Sequence, residues 1–565
     1  SASSLIGMAS IRVAIAQLNF RLGDFESNVA AIVDAYKKSV EQDADVVVFS
    51  ELAVCGYPPE DLLLKQRFIE EAGEAVQQIA AQCSETVAIV GFPEGEGQEL
   101  YNSAAVCCQG EISGIYRKQL LPNYSVFDEK RYFTPGTSAG PIFQIAGVTV
   151  GISICEDLWF DDGPLETQIA SGADLVISLN ASPYQQGKDA SRFSAVHERL
   201  VDHGLPAVYV NQVGGQDELI FDGSSFVTDS AGDLIAQLPQ FEEALQIVDL
   251  EVGARSIGEL SLIRVSEPKK TKKPIPEPTV TPGQDETGEV WNALVLATRD
   301  YVEKNGFEQV VIGLSGGVDS SLVAGIAVDA LGPDRVQGVS MPSRYSSQGS
   351  EDDAVALAAN LGIALHRIPI EAAHSALTDM LDPLFDGQEP DLTEENLQSR
   401  IRGVLLMALS NKNGWLVLTT GNKSETSVGY STLYGDTAGG FAVIKDCPKL
   451  LVYELCTWRN SQTSSPWIPE ASITKPPSAE LRPDQTDDQS LPPYEVLDPL
   501  LEAYVELDWT AAELVAEGHD PELVDRITRL VDLAEYKRRQ SPPGPRISGK
   551  AFGKDRRLPI TNRYR

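Results

Sequence analysis

Two groups of residues carry chemistry in this chain. In the first half, Glu51 ends the run VVVFSE, Lys118 follows GEISGIYR, and Cys155 closes VTVGISIC. A cysteine thiolate attacks an amide carbonyl readily, but a free thiol is mostly protonated near neutrality. A carboxylate can take that proton and later activate water. A lysine can hold the negative charge of a tetrahedral intermediate. The usual rival is a Cys/His site, yet the chain has only five histidines, and His197 and His203 lie away from the strand ends. Each of the three residues also has a plain structural explanation: a core thiol, a helix-capping carboxylate, a solvated amine. Their order and placement make them worth reading together.

In the second half, Leu314–Ser321 reads LSGGVDSS between an apolar run and a helical pattern. Gly316 and Gly317 let a ligand approach the backbone, and a helix N-terminus offers free N–H groups to an anion. Ser315, Ser320 and Ser321 add hydroxyls. Asp319 is out of place beside phosphates unless a cation bridges them, which points to Mg²⁺ on pyrophosphate oxygens. The loop lacks the GK[ST] ending of a Walker A motif.

These residues need strands and helices to bring them together. Apolar runs at Ile11–Leu18, Ala44–Phe49, Thr86–Gly91, Ser103–Cys108, Val148–Ile154, Leu175–Leu179 and Ala207–Asn211 predict buried strands. Amphipathic stretches at Asn28–Gln42 and Gln66–Gln82 predict helices between them. A Pro/Lys/Thr-rich stretch, EPKKTKKPIPEPTVTPG at Glu267–Gly283, reads as a linker. Beyond it come a helix near Thr287–Asn305, strands at Gln309–Leu314, Val336–Met341 and Leu365–Ile370, and helices at Ser320–Leu331 and Glu351–Leu361. That βαβαβ order predicts an α/β fold with a doubly wound parallel sheet and ligands at the carboxyl ends of its strands. The expected division is 8–265, a linker at 266–284, and 285–565. Ser461–Pro493 reads as a mobile loop. The basic C-terminus, Lys537–Arg565, reads as a phosphate-facing tail.

The contexts FSEL (Phe49–Leu52), YRKQLLP (Tyr116–Pro122) and ICEDLW (Ile154–Trp159) resemble the Glu-Lys-Cys triad of the nitrilase family. The resemblance covers nearly all of residues 11–250 and implies an αββα sandwich. It also implies that Glu129 orients Lys118, and that Tyr124, Glu156, Ser182 and Lys188 hold glutamine. LSGGVDSS resembles the pyrophosphate loop of the ATP pyrophosphatase (adenylating) family. With NLQSRIR (Asn396–Arg402), TTGNKSE (Thr419–Glu425), YGDTAGG (Tyr434–Gly440) and KPPSAELRPDQTD (Lys475–Asp487), the second half resembles an NAD synthetase core. The TTGNKSE stretch departs from the smaller ammonia-dependent enzymes and is similar to the longer, glutamine-dependent type. This resemblance implies ATP as co-substrate, held by Gly313, Ser315–Ser321 (Val318 among them) and Thr420. It implies Mg²⁺ on Asp319 and Glu425, and deamido-NAD⁺ near Asn396, Arg400, Asp436, Lys449 and Lys475.

A nitrilase-type half followed by an NAD-synthetase-type half resembles the glutamine-dependent NAD⁺ synthetases, ligases of NAD biosynthesis. That implies ammonia released by the first half and consumed by the second, an internal ammonia channel, and a homo-oligomer with at least a synthetase-domain dimer. Two alternatives stay open: amidation of a different carboxylate, and a binding protein with inactive sites.

Bulk properties set outer bounds. A chain of 565 residues predicts two to four domains. The net charge of −37, from 82 acidic and 45 basic residues, argues against nucleic-acid partners. No apolar run approaches the ~20 residues of a membrane span, and no signal-peptide pattern precedes Met8. Seven scattered cysteines without a CxxC disfavour zinc and disulfides. The expected partners are therefore small molecules, with no membrane association and a cytoplasmic location.

Overall fold

The computed structural model describes residues 7–255 and 258–564, which form two compact units. One unit takes the described residues up to Gly214 together with Phe221–Gly283. The other takes Gly215–Ile220 and the described residues from Gln284 onward.

The first unit runs β1 (Met8–Gln17), α1 (Phe25–Glu41), β2 (Val46–Val48), α2 (Gln66–Gln82), β3 (Val87–Glu96), β4 (Glu99–Cys108) and β5 (Glu111–Arg117). It continues with β6 (Ile142–Ile145), β7 (Val148–Ile154), α3 (Leu165–Ala170), β8 (Leu175–Asn180), α4 (Lys188–Leu200) and β9 (Ala207–Asn211). In the chain the hairpin β10 (Val213–Gln216)–β11 (Leu219–Asp222) follows, its residues Gly215–Ile220 belonging to the other unit, and the first unit resumes with β12 (Phe226–Thr228), β13 (Leu234–Gln237), β14 (Ala244–Gly253) and β15 (Leu262–Arg264). Two sheets result, ordered β14-β1-β2-β3-β4-β5 and β13-β12-β9-β8-β7-β6-β15. Alternate residues of both fill one core: Ile11, Val13 and Ile15 from β1, and Val148, Val150, Ile152 and Ile154 from β7. The opposite faces carry helices. Phe68, Ala72, Val76 and Ile79 of α2 are buried, and Val196 and Leu200 of α4 pack with Val176, Tyr209 and Phe226. This is the αββα sandwich that the nitrilase resemblance implies.

The second unit opens with α5 (Glu286–Lys304), β16 (Val310–Gly313), α6 (Val318–Leu331), β17 (Val336–Ser340), α7 (Gln348–Leu361), β18 (Ala364–Arg367), α8 (Glu371–Phe385) and α9 (Leu392–Asn413). It continues with β19 (Leu416–Thr419), α10 (Lys423–Val428), β20 (Phe441–Ala442) and α11 (Lys449–Ser461). The five strands are parallel in the order β18-β17-β16-β19-β20. The chain leaves β16 to one side for β17 and β18, and returns to its other side for β19 and β20. β16 is therefore the switch point of a doubly wound sheet, and a ligand crevice belongs at its carboxyl end.

Three expectations about irregular segments change. The Lys-rich stretch at 267–283 is laid along the first unit rather than strung free. Lys269 Nζ donates to Ala44 O (2.8 Å) and Thr86 Oγ1 (3.0 Å), Lys272 pairs with Asp45, and Arg12 donates to Lys273 O. The 461–493 region includes a short helix at Glu470–Thr474, with Ser472 buried and its Oγ bonded to Gly316 O at 2.8 Å. The basic tail spends much of its charge internally. Arg538 and Arg556 share Glu535, and Arg546 pairs with Asp555, because those carboxylates are buried beside them.

Candidate functional site

In the first unit, Glu51 leaves β2, Lys118 leaves β5 and Cys155 leaves β7, so three strand ends deliver three reactive side chains. Lys118 Nζ donates to Glu51 Oε1 at 2.7 Å and to both oxygens of Glu129 at 3.0 Å. All of this is buried. Asn102 Nδ2 adds a bond to Glu51 Oε1 (2.8 Å), and the Ala181 N–H reaches Glu51 Oε2 (3.1 Å). Tyr57 donates its hydroxyl to Glu129 Oε1 at 2.8 Å. Burial works against the Lys118 charge, but Glu129 and Glu51 outweigh it and hold the ammonium well above its ordinary range. Burial pushes the Glu129 carboxyl up to about 7 against the pull of Lys118.

Cys155 sits at φ = 46°, the left-handed region that a residue with a Cβ rarely enters. The strand turns abruptly there into a 3₁₀ turn, Cys155–Leu158, which lifts the thiol out of the ladder. Burial, then the charge of Glu51, raise the thiol well above its usual pKa, with Lys118 pulling the other way. The resting thiol is therefore protonated and needs a base as it attacks.

The residues expected to hold glutamine are spread around this centre. Tyr124 donates to both oxygens of Glu156 at 3.0 Å, and Lys188 Nζ stands 4.9 Å from the Trp159 ring centroid. Ser182 is buried, and its hydroxyl accepts from Arg192 Nε at 3.1 Å. Asn102, Tyr57, Trp159 and Arg192 were not picked out from the sequence, since nothing local to them signals chemistry.

In the second unit, a cavity of about 330 Å³ opens at the carboxyl ends of β16, β17 and β19. Gly313, Ser315, Gly317, Val318, Asp319, Ser320, Thr420, Glu425, Asp436, Lys449 and Lys475 line it. Gly316 and Ser321 stand behind this lining. Gly316 (φ = 78°) presses on Ser350, whose carbonyl oxygen would lie 2.1 Å from any Cβ, so the turn requires glycine. Ser321 Oγ bonds Gly317 O at 2.7 Å. The N-terminus of α6 has no side-chain cap, so its N–H groups are available to an anion.

Lys449 Nζ donates to Asp319 Oδ2 (2.6 Å) and Asn422 Nδ2 to Asp319 Oδ1 (2.9 Å). The backbone N–H of Asn422 also holds Glu425 Oε2 at 3.1 Å. Burial, then Asp319, push the Glu425 carboxyl well up. Partial desolvation at the cavity raises the exposed Asp436 carboxyl to about 6, and burial lowers Arg402 to about 10. Asn396 and Arg400 are not among the lining residues. Asn396 accepts from Thr432 Oγ1, and Arg400 donates to Leu433 O. Arg402, two residues on, does line the cavity and is fixed by Met341 O at 2.9 Å. Asn422 was legible in TTGNKSE as an N-cap three residues before a Glu, the pattern of a capping box.

The fold and the two sites define a carbon–nitrogen hydrolase joined to an adenylating synthetase, and comparison with known proteins agrees. The carbon-nitrogen hydrolase family model matches residues 12–256 and the NAD synthase model residues 290–541. The glutamine-dependent NAD(+) synthetase of Thermotoga maritima is 46 % identical over 575 aligned positions, covering 99 % of this chain and 100 % of that protein. The Xylella fastidiosa enzyme of the same name is 46 % identical over 557 positions, with 98 % and 99 % covered. Among solved structures, glutamine-dependent NAD+ synthetase from Acinetobacter baumannii in complex with ADP is 43 % identical, with 98 % and 99 % covered and a TM-score of 0.75. The chain belongs to the glutamine-dependent NAD(+) synthetase family.

Proposed function

We propose that this protein is a glutamine-hydrolysing NAD⁺ synthetase, converting ATP, deamido-NAD⁺, L-glutamine and water into AMP, diphosphate, NAD⁺ and L-glutamate. The reading rests on one observation: a single chain pairs a buried Glu51–Lys118–Glu129 cluster beside the Cys155 elbow with a cavity at an uncapped Gly-rich loop. Residues 8–265 act as the glutaminase and 285–565 as the synthetase.

Cys155 Sγ attacks the side-chain carbonyl of glutamine while its proton passes to Glu51. Lys118, kept charged by Glu129, stabilises the oxyanion. Glu51 returns the proton to the departing nitrogen, ammonia leaves, and a glutamyl thioester remains. Water, deprotonated by Glu51, then releases glutamate and restores the thiol. Tyr124, Glu156, Ser182 and Lys188 surround the substrate's polar groups.

In the cavity, a nicotinate carboxylate oxygen attacks the α-phosphorus of ATP and diphosphate leaves. Ammonia attacks the resulting acyl adenylate and AMP departs, leaving the amide. The loop from Ser315 to Ser321 and the α6 N-terminus receive phosphate oxygens, Lys449 adds positive charge, and Thr420, Asp436 and Lys475 stand around the remaining groups. Asp319 and Glu425 suit Mg²⁺: two hard oxygen donors beside a phosphate site match its habit of taking one or two carboxylates plus phosphate oxygens. The ion would supply charge neutralisation to the leaving diphosphate. Ammonia passes from the first reaction to the second through an internal channel.

The protein works in the cytoplasm, in keeping with seven buried, unpaired cysteines. No helix among the described residues is long and apolar enough to cross a membrane. It assembles as a homo-oligomer through the synthetase unit, where Met380, Leu384, Leu392 and Val404 of α8 and α9 are exposed. One assay tests the whole reading: incubation with ATP, Mg²⁺, glutamine and deamido-NAD⁺ yields equal amounts of NAD⁺ and AMP. Release of glutamate without NAD⁺ would point to a different carboxylate acceptor.

A further inference from the structure

Asp157 lies two residues beyond Cys155 and is fully buried. Its two oxygens accept four hydrogen bonds from two different strand ends. Oδ1 takes the backbone N–H of Gln119 (3.0 Å) and Leu120 (2.8 Å), the two residues that follow Lys118. Oδ2 takes the hydroxyl of Tyr116 (2.7 Å), two residues before Lys118, and the backbone N–H of Ile154 (3.1 Å), the residue before Cys155. One carboxylate thus grips the chain on both sides of the lysine and at the entry to the cysteine elbow.

The geometry points to Asp157 as a positioning residue for the amidase reaction, a clamp that fixes the Lys118 ammonium relative to the Cys155 thiol. The inference rests on the reading of Cys155 as nucleophile and Lys118 as oxyanion holder. With about four acceptor sites on a carboxylate and four donors on this one, Asp157 has no capacity left for substrate. It therefore acts through its neighbours. Those neighbours need the help. The Ile154 N–H sits where β7 stops, and Cys155 holds a strained φ that persists only when its surroundings over-determine it. The strand after Lys118 likewise runs out into irregular chain. Without a shared anchor the two ends would shift independently, and a displacement of about 1 Å costs on the order of 10²-fold in rate.

Asp157→Asn tests this. The amide keeps one oxygen for Gln119 and Leu120 but turns an NH₂ toward the Ile154 N–H, so a donor faces a donor. The expected result is a fall of roughly 10- to 100-fold in kcat for glutamine hydrolysis. KM for glutamine should stay within about threefold, and NAD⁺ synthesis from added ammonium within about twofold, since neither depends on the clamp. An unchanged kcat overturns the inference. So does a loss carried mainly by KM, or a parallel fall in ammonium-driven synthesis, each of which marks general damage to the fold. If D157N does not accumulate as folded protein, Tyr116→Phe decides on the same readout: a threefold or larger drop in kcat at constant KM supports the clamp, and an unchanged kcat overturns it. Cys155→Ala run alongside keeps the two readings apart. Glutamine hydrolysis surviving C155A would overturn the nucleophile itself, whereas dead C155A with fully active D157N overturns only the clamp.

Discussion

Glu51, Lys118 and Glu129 are buried and bonded to one another, whereas Asp319, Glu425 and Lys449 stand on the wall of a cavity of about 330 Å³. The difference follows from what each centre handles. A small amide needs little room, and its reaction gains most from charges already fixed where charge develops. A dinucleotide and a nucleoside triphosphate need space, and the carboxylates that would meet their counter-charge must stay reachable. Lys449 keeps Asp319 paired while leaving it 18 % exposed, and the Lys118–Glu51 pair is sealed at 0 % on both sides. One centre is pre-assembled, and the other is held ready.

The sharpest break between the two is Cys155→Ala. Glutamine-driven NAD⁺ formation should fall by roughly 10⁴-fold or more, as for other nucleophile deletions, while ammonium-driven formation persists. Loss of both activities would show that the centres are not separable. Stability should separate them next. Lys118→Ala strands two buried carboxylates and should cost about 3–5 kcal/mol. Lys449→Ala should cost only about 1–2 kcal/mol, because water in the cavity can solvate Asp319. Equal shifts in denaturant midpoint would contradict the contrast.

The finest comparison uses pH. Asp436 is exposed on the cavity side, yet partial desolvation there raises its carboxyl from 3.8 to about 6. A raised carboxyl favours the folded state fully below 3.8, and that contribution is lost as pH rises through 6. Asp436→Asn removes the dependence. It should match the parent near pH 4 and be modestly the more stable protein above pH 6, the gain being limited by solvent screening of the exposed carboxylate. Parallel stability–pH curves for the two proteins would remove Asp436 as the cause.

Much of this architecture could be read from residue order. The buried parallel strands announce themselves as apolar runs such as VVV at Val46–Val48 and VTVGISI at Val148–Ile154, because both faces are covered. Glu51, Lys118 and Cys155 stood out by ending such runs, and LSGGVDSS by its glycines and its carboxylate. What stayed hidden depends on distant partners. Asn102 looks like any strand residue until Glu51 is beside it. The Lys-rich stretch at 267–283 reads as a linker because composition does not reveal that Asp45 and the Ala44 carbonyl await its lysines. The tail reads as phosphate-facing for the same reason: Glu535 and Asp555 claim its arginines. Asn396 and Arg400 share a helix with Arg402, and about half a turn of helix decides which of them faces the cavity.

That tail has a consequence for how the protein is made. Ser541 and Pro542 belong to the wall of the synthetase cavity, and the arginines that anchor the segment run on to Arg556, well beyond the parallel sheet. During translation the sandwich strands, from β1 to β15, have all emerged by Arg264. The cavity of the second unit stays unfinished until the segment through Arg556 has followed. A nascent or prematurely terminated chain can therefore possess the machinery for cleaving glutamine and yet be unable to close the compartment in which ATP would be spent.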